Sequence, residues 1–368
     1  MKKINLWISL ANLLLCASLL TLAGCGSGGS GPAAPVVPAA PAVGGTTPLE
    51  PAGVTATFSQ AVAINDANQV VGFAETAAGS PFTAAVWTVN SLGETASAPT
   101  ALDALPGGSF SSGFSVDTAG NVVGVADNGL AQVAVIWPTG STTPAALPEL
   151  VAGGFSAAYG INPDGNLIVG EAEDASFTTR AVVWPVVAGT VGAPVVLPEV
   201  FALPDLPGAF SAAYAVNDAG WVVGEVEDNG FQFHAVVWQP DVGGGYSTMT
   251  DLRTGGEVNS VAQGINSQNQ VVGESEVLTG SFVPALWADD GTGEFNRTDL
   301  STDGGAAGIN DAGRIAGWNG PIPNAAVWDS SSLLGTDLFS AESQAYSINN
   351  NNLVVGYNGN EGFVRLTN

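Results

Sequence analysis

Lysine is confined to positions 2 and 3, cysteine to Cys16 and Cys25, and histidine to His234, in a chain of 368 residues. Each scarcity removes a class of chemistry. With no cysteine after residue 25, the bulk of the chain has no disulfide framework, no thiolate nucleophile and no Cys-ligated metal. One histidine excludes a His-rich metal box, and no Gly-x-Ser-x-Gly elbow or phosphate-binding glycine loop occurs. Seven Lys and Arg face 33 Asp and Glu, a net charge of −26. Losing Lys2 and Lys3 with a cleaved leader makes it −28, carried against five arginines and no lysine. Such a surface repels nucleic acid and anionic lipid, and attracts cations or basic partners.

The leader itself is legible. A basic head (Lys2, Lys3) precedes an apolar run from Ile4 to Leu22, and "LAGC" ends at Cys25. This is a secretory layout, to be set aside from the fold. "LAGC" resembles a lipoprotein signal-peptidase box, which implies cleavage before Cys25, a signal peptide of residues 1–24, and lipid on the Cys25 sulfur and amino group. Gly26 rather than Asp after the cysteine implies delivery to the outer membrane. Residues 25–48 then read as a lipidated cysteine and an uncharged Gly/Pro/Ser/Ala-rich tether, a flexible coil of about 25–30 Å. Membrane association is expected through that lipid alone.

Residues 49–368 repeat themselves. "VVG"-type glycines at Gly72, Gly124, Gly170, Gly224, Gly273, Gly317 and Gly356 recur about every 47 residues. Trp87, Trp137, Trp184, Trp238, Trp287 and Trp328 close six copies, and "GFVRL" stands in that place in the seventh. An Asx residue opens a turn in each copy: Asn65, Asp117, Asn162, Asn217, Asn266, Asn310 and Asn349. Three residues on stand Asn68, Gly120, Gly165, Gly220, Asn269, Gly313 and Asn352, the two residue types that accept a left-handed backbone. A tight hairpin follows.

Before each turn, small residues (Ala61, Ala63; Ala158, Gly160; Ala213, Ala215) alternate with larger ones (Val62, Ile64; Tyr159, Ile161; Tyr214, Val216), as strands do. "VVG" supplies a second strand and the Trp segment a third. "LPEL" (Leu147–Leu150), "LPDL" (Leu203–Leu206) and "TDL" (Thr250–Leu252, Thr298–Leu300) suggest a fourth. An extra residue between Gly165 and Gly170 reads as a bulge. The expected fold is all-β, a propeller of about seven four-stranded antiparallel blades, with "TTPLEP" (Thr46–Pro51) closing the last one; a superhelical β-array is the alternative.

The unit "IND-x-G-x-VVG…HAVVW…DL" is similar to the HAF family of extracellular repeats, named for a His-Ala-Phe tripeptide. The likeness spans residues 50–368, although only His234 keeps the histidine and Val236 replaces the Phe. It implies an exported bacterial repeat protein and assigns no activity.

Candidate functional residues follow the "VVG" glycine: Glu171, Glu173 and Asp174; Glu225, Glu227 and Asp228; Glu274 and Glu276. Equivalent propeller loops share one face, so these acids are expected to form an electronegative arc for a divalent cation, calcium above all, or for a basic protein. Phe110, Phe155 and Phe210 at the start of the first strand, with Trp221, are candidate aromatic contacts for a glycan or cation. His234 reads as a strand residue. The leading expectation is a surface-tethered, non-catalytic binding or scaffold module at the outer membrane. The alternative is a carbohydrate-active enzyme using paired carboxylates in a propeller cleft, chemistry that needs no histidine.

Overall fold

Each alternating segment before an Asx turn is an inner strand, and each pairs antiparallel with the "VVG" strand that follows it. The computed structural model describes Thr47–Pro48 and residues 58–367, except 76, 78, 96–98, 200–209, 254–256, 279, 292 and 341. The leader, Cys25 and "LPDL" lie outside the described residues. Among those described, all regular structure is strand, in seven antiparallel sheets that form a seven-bladed propeller. Blade three comprises Ser156–Ile161, Leu167–Glu173, Thr179–Val187 and Val195–Val196; blade four comprises Ser211–Val216, Val222–Glu227, Phe233–Trp238 and Met249–Asp251. Blade three's outer strand thus precedes the "LPDL" segment that the sequence suggested. Blade seven takes its outer strand from the front of the chain, with Thr47 opposite Val364 and Pro48 opposite Phe363. The expected closure is therefore present.

The predicted left-handed positions are left-handed in all seven hairpins, with φ from 60° at Asn269 to 90° at Gly120. Blade three departs from expectation in one detail. Its extra residue enlarges the turn, where Asn162 Oδ1 accepts from both Asn166 and Leu167 N–H, and the second strand stays regular. The bulge lies instead in the inner strand, between Ala158 and Gly160, with counterparts in the other six blades. It drives the inner backbone against the second strand. A Cβ on Gly170 would lie 2.0 Å from the Ala157 carbonyl oxygen, and one on Gly224 2.0 Å from that of Ala212. Only glycine fits so close an approach.

The core sits between blades. One cluster joins Val169, Ala181, Val183 and Leu197 of blade three to Ala213, Val222, Val236 and Trp238 of blade four, all buried. Trp137, Trp184 and Trp238 each donate their indole N–H to a carbonyl of the preceding blade, at Asp103, Pro148 and Pro198.

Two directional contacts fix how blades meet. Asn65, Asn217, Asn266, Asn310 and Asn349 each donate a side-chain N–H to the carbonyl of the Asx residue one blade on, at 2.7–3.1 Å, and the bond from Asn349 to Asn65 closes the circle. The same side chains accept, through Oδ1, the N–H four residues later in their own hairpin. Serine makes the second contact. Ser111, Ser156, Ser211 and Ser343, which open inner strands, and Ser260 within one accept the third-strand N–H of Ala84, Ala134, Ala181, Ala325 and Ala235, respectively, in the blade before. Ser59 does so for Gly362. Between blades five and six the donor position is Pro284, which has no N–H, and the acceptor position is Gly304.

Replacing Asn266 by Asp keeps the hairpin acceptor and removes the donor to Asn310. The variant is expected to lose about 1–3 kcal/mol, read as a lower melting temperature; an unchanged melt would show that the amide bridge carries no stability.

Candidate functional site

The inner-strand bulge that forces glycine into the second strand also leaves one bulged residue per blade outside the pairing register. In blades two, three and four these are Phe114, Tyr159 and Tyr214, half-buried. Their rings form a consecutive arc, with centroids 5.6 Å apart from Phe114 to Tyr159 and 5.4 Å from Tyr159 to Tyr214. Behind the arc lies the residue that follows each "VVG" glycine. Tyr159 donates its phenol to Glu171 Oε1 at 2.6 Å, and Tyr214 donates to Glu225 Oε1 at 2.7 Å. In blade five Gln263 Nε2 donates to Glu274 Oε1 at 2.8 Å.

These carboxyls are buried, Glu171 at 1% exposure. Its second oxygen has no hydrogen-bond partner among the described residues. Burial pushes the Glu171 pKa up to about 7, only partly offset by the Tyr159 hydrogen bond. Burial also raises the Tyr159 phenol well above its ordinary value, and the Glu171 charge, their hydrogen bond and the Glu225 charge add to it. The result is a carboxyl that carries a proton part of the time near neutrality, beside a phenol that keeps its own.

The eight acids expected to form one solvated arc separate into three groups. Glu171, Glu225 and Glu274 are the buried members just described. Glu173 and Glu227 turn back on their own blades, accepting the N–H of Phe155 and Phe210 at 3.3 and 3.4 Å, while Glu276 accepts from Asn259. Asp174 and Asp228 shape the loops between the second and third strands and pair with basic side chains. Arg180 donates to Asp174 at 2.9 Å and also to Glu199. That hydrogen bond holds the Asp174 carboxyl below the usual range. His234 lies in the third strand of blade four, as expected, and is buried, with Nε2 3.0 Å from Asp228 and Nδ1 2.8 Å from Asp251. Burial raises both aspartates, and the hydrogen bonds they accept from the backbone and from His234 more than offset it, leaving both below the usual range. Among the described residues no three His, Cys, Asp or Glu side chains gather as a metal site requires.

The expected aromatic contacts are also dispersed. Phe110, Phe155 and Phe210 are half-buried at the starts of inner strands, Phe210 packed edge-on against Phe233. Trp221 lies at the opposite, hairpin end of blade four against Phe295. Tyr159, Tyr214 and Gln263 had no place in the expected site. Their signal was available within the repeat: the three blades with Glu after the "VVG" glycine carry Tyr, Tyr and Gln at the inner-strand bulge, where blades one, two and six carry Val62, Phe114 and Ala307, while Tyr346 of blade seven stands beside Tyr357 instead of a Glu.

No family model matches the chain, and no curated protein does. Solved structures do. A puromycin-hydrolyzing peptidase of Mycobacterium tuberculosis superposes with a TM-score of 0.56 at 17% identity, over 84% of this chain and 49% of that one. A puromycin hydrolase gives 0.57 at 15%, over 81% and 50%. An ulvan lyase, a polysaccharide lyase bound to a GlcA–Rha3S fragment, gives 0.51 at 12%, over 87% and 93%. The chain thus spans about half the length of the peptidases it matches. At these identities the likeness establishes the propeller fold. These neighbours are nonetheless propellers of enzymes, and they stand against the expectation of a non-catalytic binding or scaffold module.

A carboxyl whose pKa is raised by folding stabilises the native state below its unfolded value, near 4.5, and that contribution is lost as pH rises through about 7. Glu171→Gln removes the charge and keeps the acceptor for Tyr159. At pH 8–9 the variant is expected to exceed the parent by about 3 kcal/mol, with the difference vanishing near pH 4 in denaturant titrations. Parallel curves at both pH values would contradict the raised pKa.

Proposed function

We propose that this chain is a carbohydrate-active propeller enzyme that hydrolyses a glycosidic bond by general acid–base chemistry. Glu171 and Glu225 are its paired carboxylates, and Tyr159 and Tyr214 are the groups that meet the substrate. The Tyr159–Glu171 pair carries the reading: a buried carboxyl titrating near 7, bonded to a half-buried phenol. General acid–base catalysis is most effective when the group's pKa lies near the working pH, and glycoside hydrolysis divides two carboxyls into acid and base.

The chemistry follows from the hydrogen bond. When Glu171 holds its proton it donates to the Tyr159 oxygen, and the phenol O–H is released to meet the substrate. As the glycosidic C–O bond breaks, the leaving oxygen takes the phenol proton and Glu171 replaces it. Water forms the new C–O bond, and its proton passes through Tyr214 to Glu225 on the neighbouring blade. Tyr159 is a donor here, since its raised pKa disfavours a phenolate. The ulvan lyase supports a glycan substrate more than the peptidases support a peptide, because the match covers nearly all of it. Hydrolysis is favoured over elimination by charge. Elimination requires neutralising a uronate carboxylate, and Arg180 and His234 in these blades are each bonded to two acids.

An envelope address is part of the same proposal: the leader, Cys25 and the tether hold the propeller at the outer membrane by lipid alone. Kinship with HAF repeats is retained on the same footing, on the repeat residues alone.

Reducing-end release from a panel of neutral and uronate polysaccharides tests the activity. Glu171→Gln and Tyr159→Phe are each expected to lower kcat about 100-fold or more with the fold retained. Cleavage of no polymer, or release of an unsaturated product absorbing in the ultraviolet, would overturn hydrolysis. For the address, Cys25→Ser is expected to move the protein from the membrane to the soluble fraction; a variant that stays with the membrane would contradict the lipid anchor.

A further inference from the structure

We infer that Phe177 and Phe231 form an aromatic platform that holds an extended, uncharged polysaccharide across blades three and four; the inference rests on the glycan chemistry proposed above. Among the described residues these are the only aromatic side chains left exposed, at 85% and 72%. They occupy one position in two copies of the same loop, each six residues beyond the buried glutamate of its blade, Glu171 or Glu225.

Their backbone is as telling as their exposure. Phe177 has φ 59° and Phe231 has φ 61°, the left-handed region that a bulky residue occupies only under constraint. Blade five has the same five-residue loop, over residues 277–281, with the same turn bonds, and its left-handed residue is Gly280 at φ 82°. Glycine is the relaxed solution for this loop. In blades three and four the relaxed solution is replaced by a phenyl ring that packs on nothing.

Both loops are also built to hold still. Asp174 Oδ1 accepts the N–H of Ser176 and Thr178, and Asp228 Oδ1 accepts those of Gly230 and Gln232. The other oxygen of each aspartate is fixed by a guanidinium or ring nitrogen, of the half-buried Arg180 or the buried His234. A ring fixed at low conformational cost and facing water suits stacking on the C–H face of a sugar. Face-to-face sheets lie about 10 Å apart, wider than one monosaccharide, so two rings on adjacent blades select a polymer.

Charge decides which polymer. The chain carries −26 overall, and Arg180 and His234 beneath the two loops are occupied by acids, so a polyanion is repelled and an uncharged chain is not. A lipid surface is the competing partner for exposed phenylalanines. The closing strand speaks against it: Thr47 pairs with Val364 and Pro48 with Phe363, so the chain enters the propeller from the end opposite these loops.

The test uses the full chain and its Phe177→Gly/Phe231→Gly double variant, which adopts the solution of blade five and is expected to melt no lower than the parent. Affinity gels containing barley β-glucan, xylan or galactomannan should retard the parent on at least one polymer, with the dissociation constant raised at least tenfold in the double variant. The same comparison in a Glu171→Gln background separates holding from cleavage. If the parent cleaves a polymer but the double variant is retarded equally, the platform is overturned and the hydrolase reading survives. If no polymer is cleaved but retardation depends on the two rings, the platform stands and the hydrolase reading falls. Retardation by none of the polymers, or ring-dependent binding to phosphatidylcholine vesicles instead, overturns the platform.

Discussion

A side-chain amide that crosses from one hairpin to the backbone of the next blade is the contact on which this ring depends. Blades of a propeller share no sheet, so no backbone ladder sets the angle between them. The apolar clusters between blades supply attraction without direction. The Asn amide supplies the direction, and the same side chain closes its own hairpin through Oδ1. Turn geometry and blade placement are therefore one constraint, repeated around the circle and completed between Asn349 and Asn65. Asp117, which has no amide to donate, accepts from Asn121 within its own hairpin instead.

A frame this redundant leaves one position free to vary. The residue after each "VVG" glycine is Phe73, Val125, Glu171, Glu225, Glu274, Trp318 or Tyr357, and nothing in the blade's own hydrogen bonding requires any of them. Burying a carboxyl there costs stability, and it is done in three adjacent blades with a polar partner supplied each time. Blades three and four go further, adding the phenols, Arg180 and His234, and the exposed rings. Specialisation of neighbouring copies within a symmetric scaffold is what an asymmetric ligand would require.

The hairpins, the left-handed residues, the blade count and the closing strand were legible because each is set by local backbone chemistry or by the repeat itself. The site was legible only in part. Glu171, Glu225 and Glu274 stood out in the sequence, but a strand end followed by more acids reads as a solvated rim. What buries them is the inner-strand bulge, which the sequence placed in the wrong strand of one blade and which recurs in all seven. Phe110, Phe155 and Phe210 looked like contacts because they stand at the start of the first strand, on the side where the second strand ends; the serine that follows each is the acceptor between blades. The exposed rings escaped notice for a different reason. Phe177 and Phe231 lie in loops that share no motif with most copies, and only the sign of φ separates them from ordinary surface residues.

The missing serine at Gly304 faces a missing donor at Pro284, so the mismatch cancels at that seam. This has a consequence for how such rings grow and shrink by gene duplication. A blade that begins with serine and ends with a free third-strand N–H can be copied, deleted or exchanged without disturbing its neighbours at this contact. Blade five ends without the donor, and blade six begins without the acceptor. Moving either alone would strand a serine or a buried N–H, so at this contact blades five and six can be exchanged without loss only as a pair.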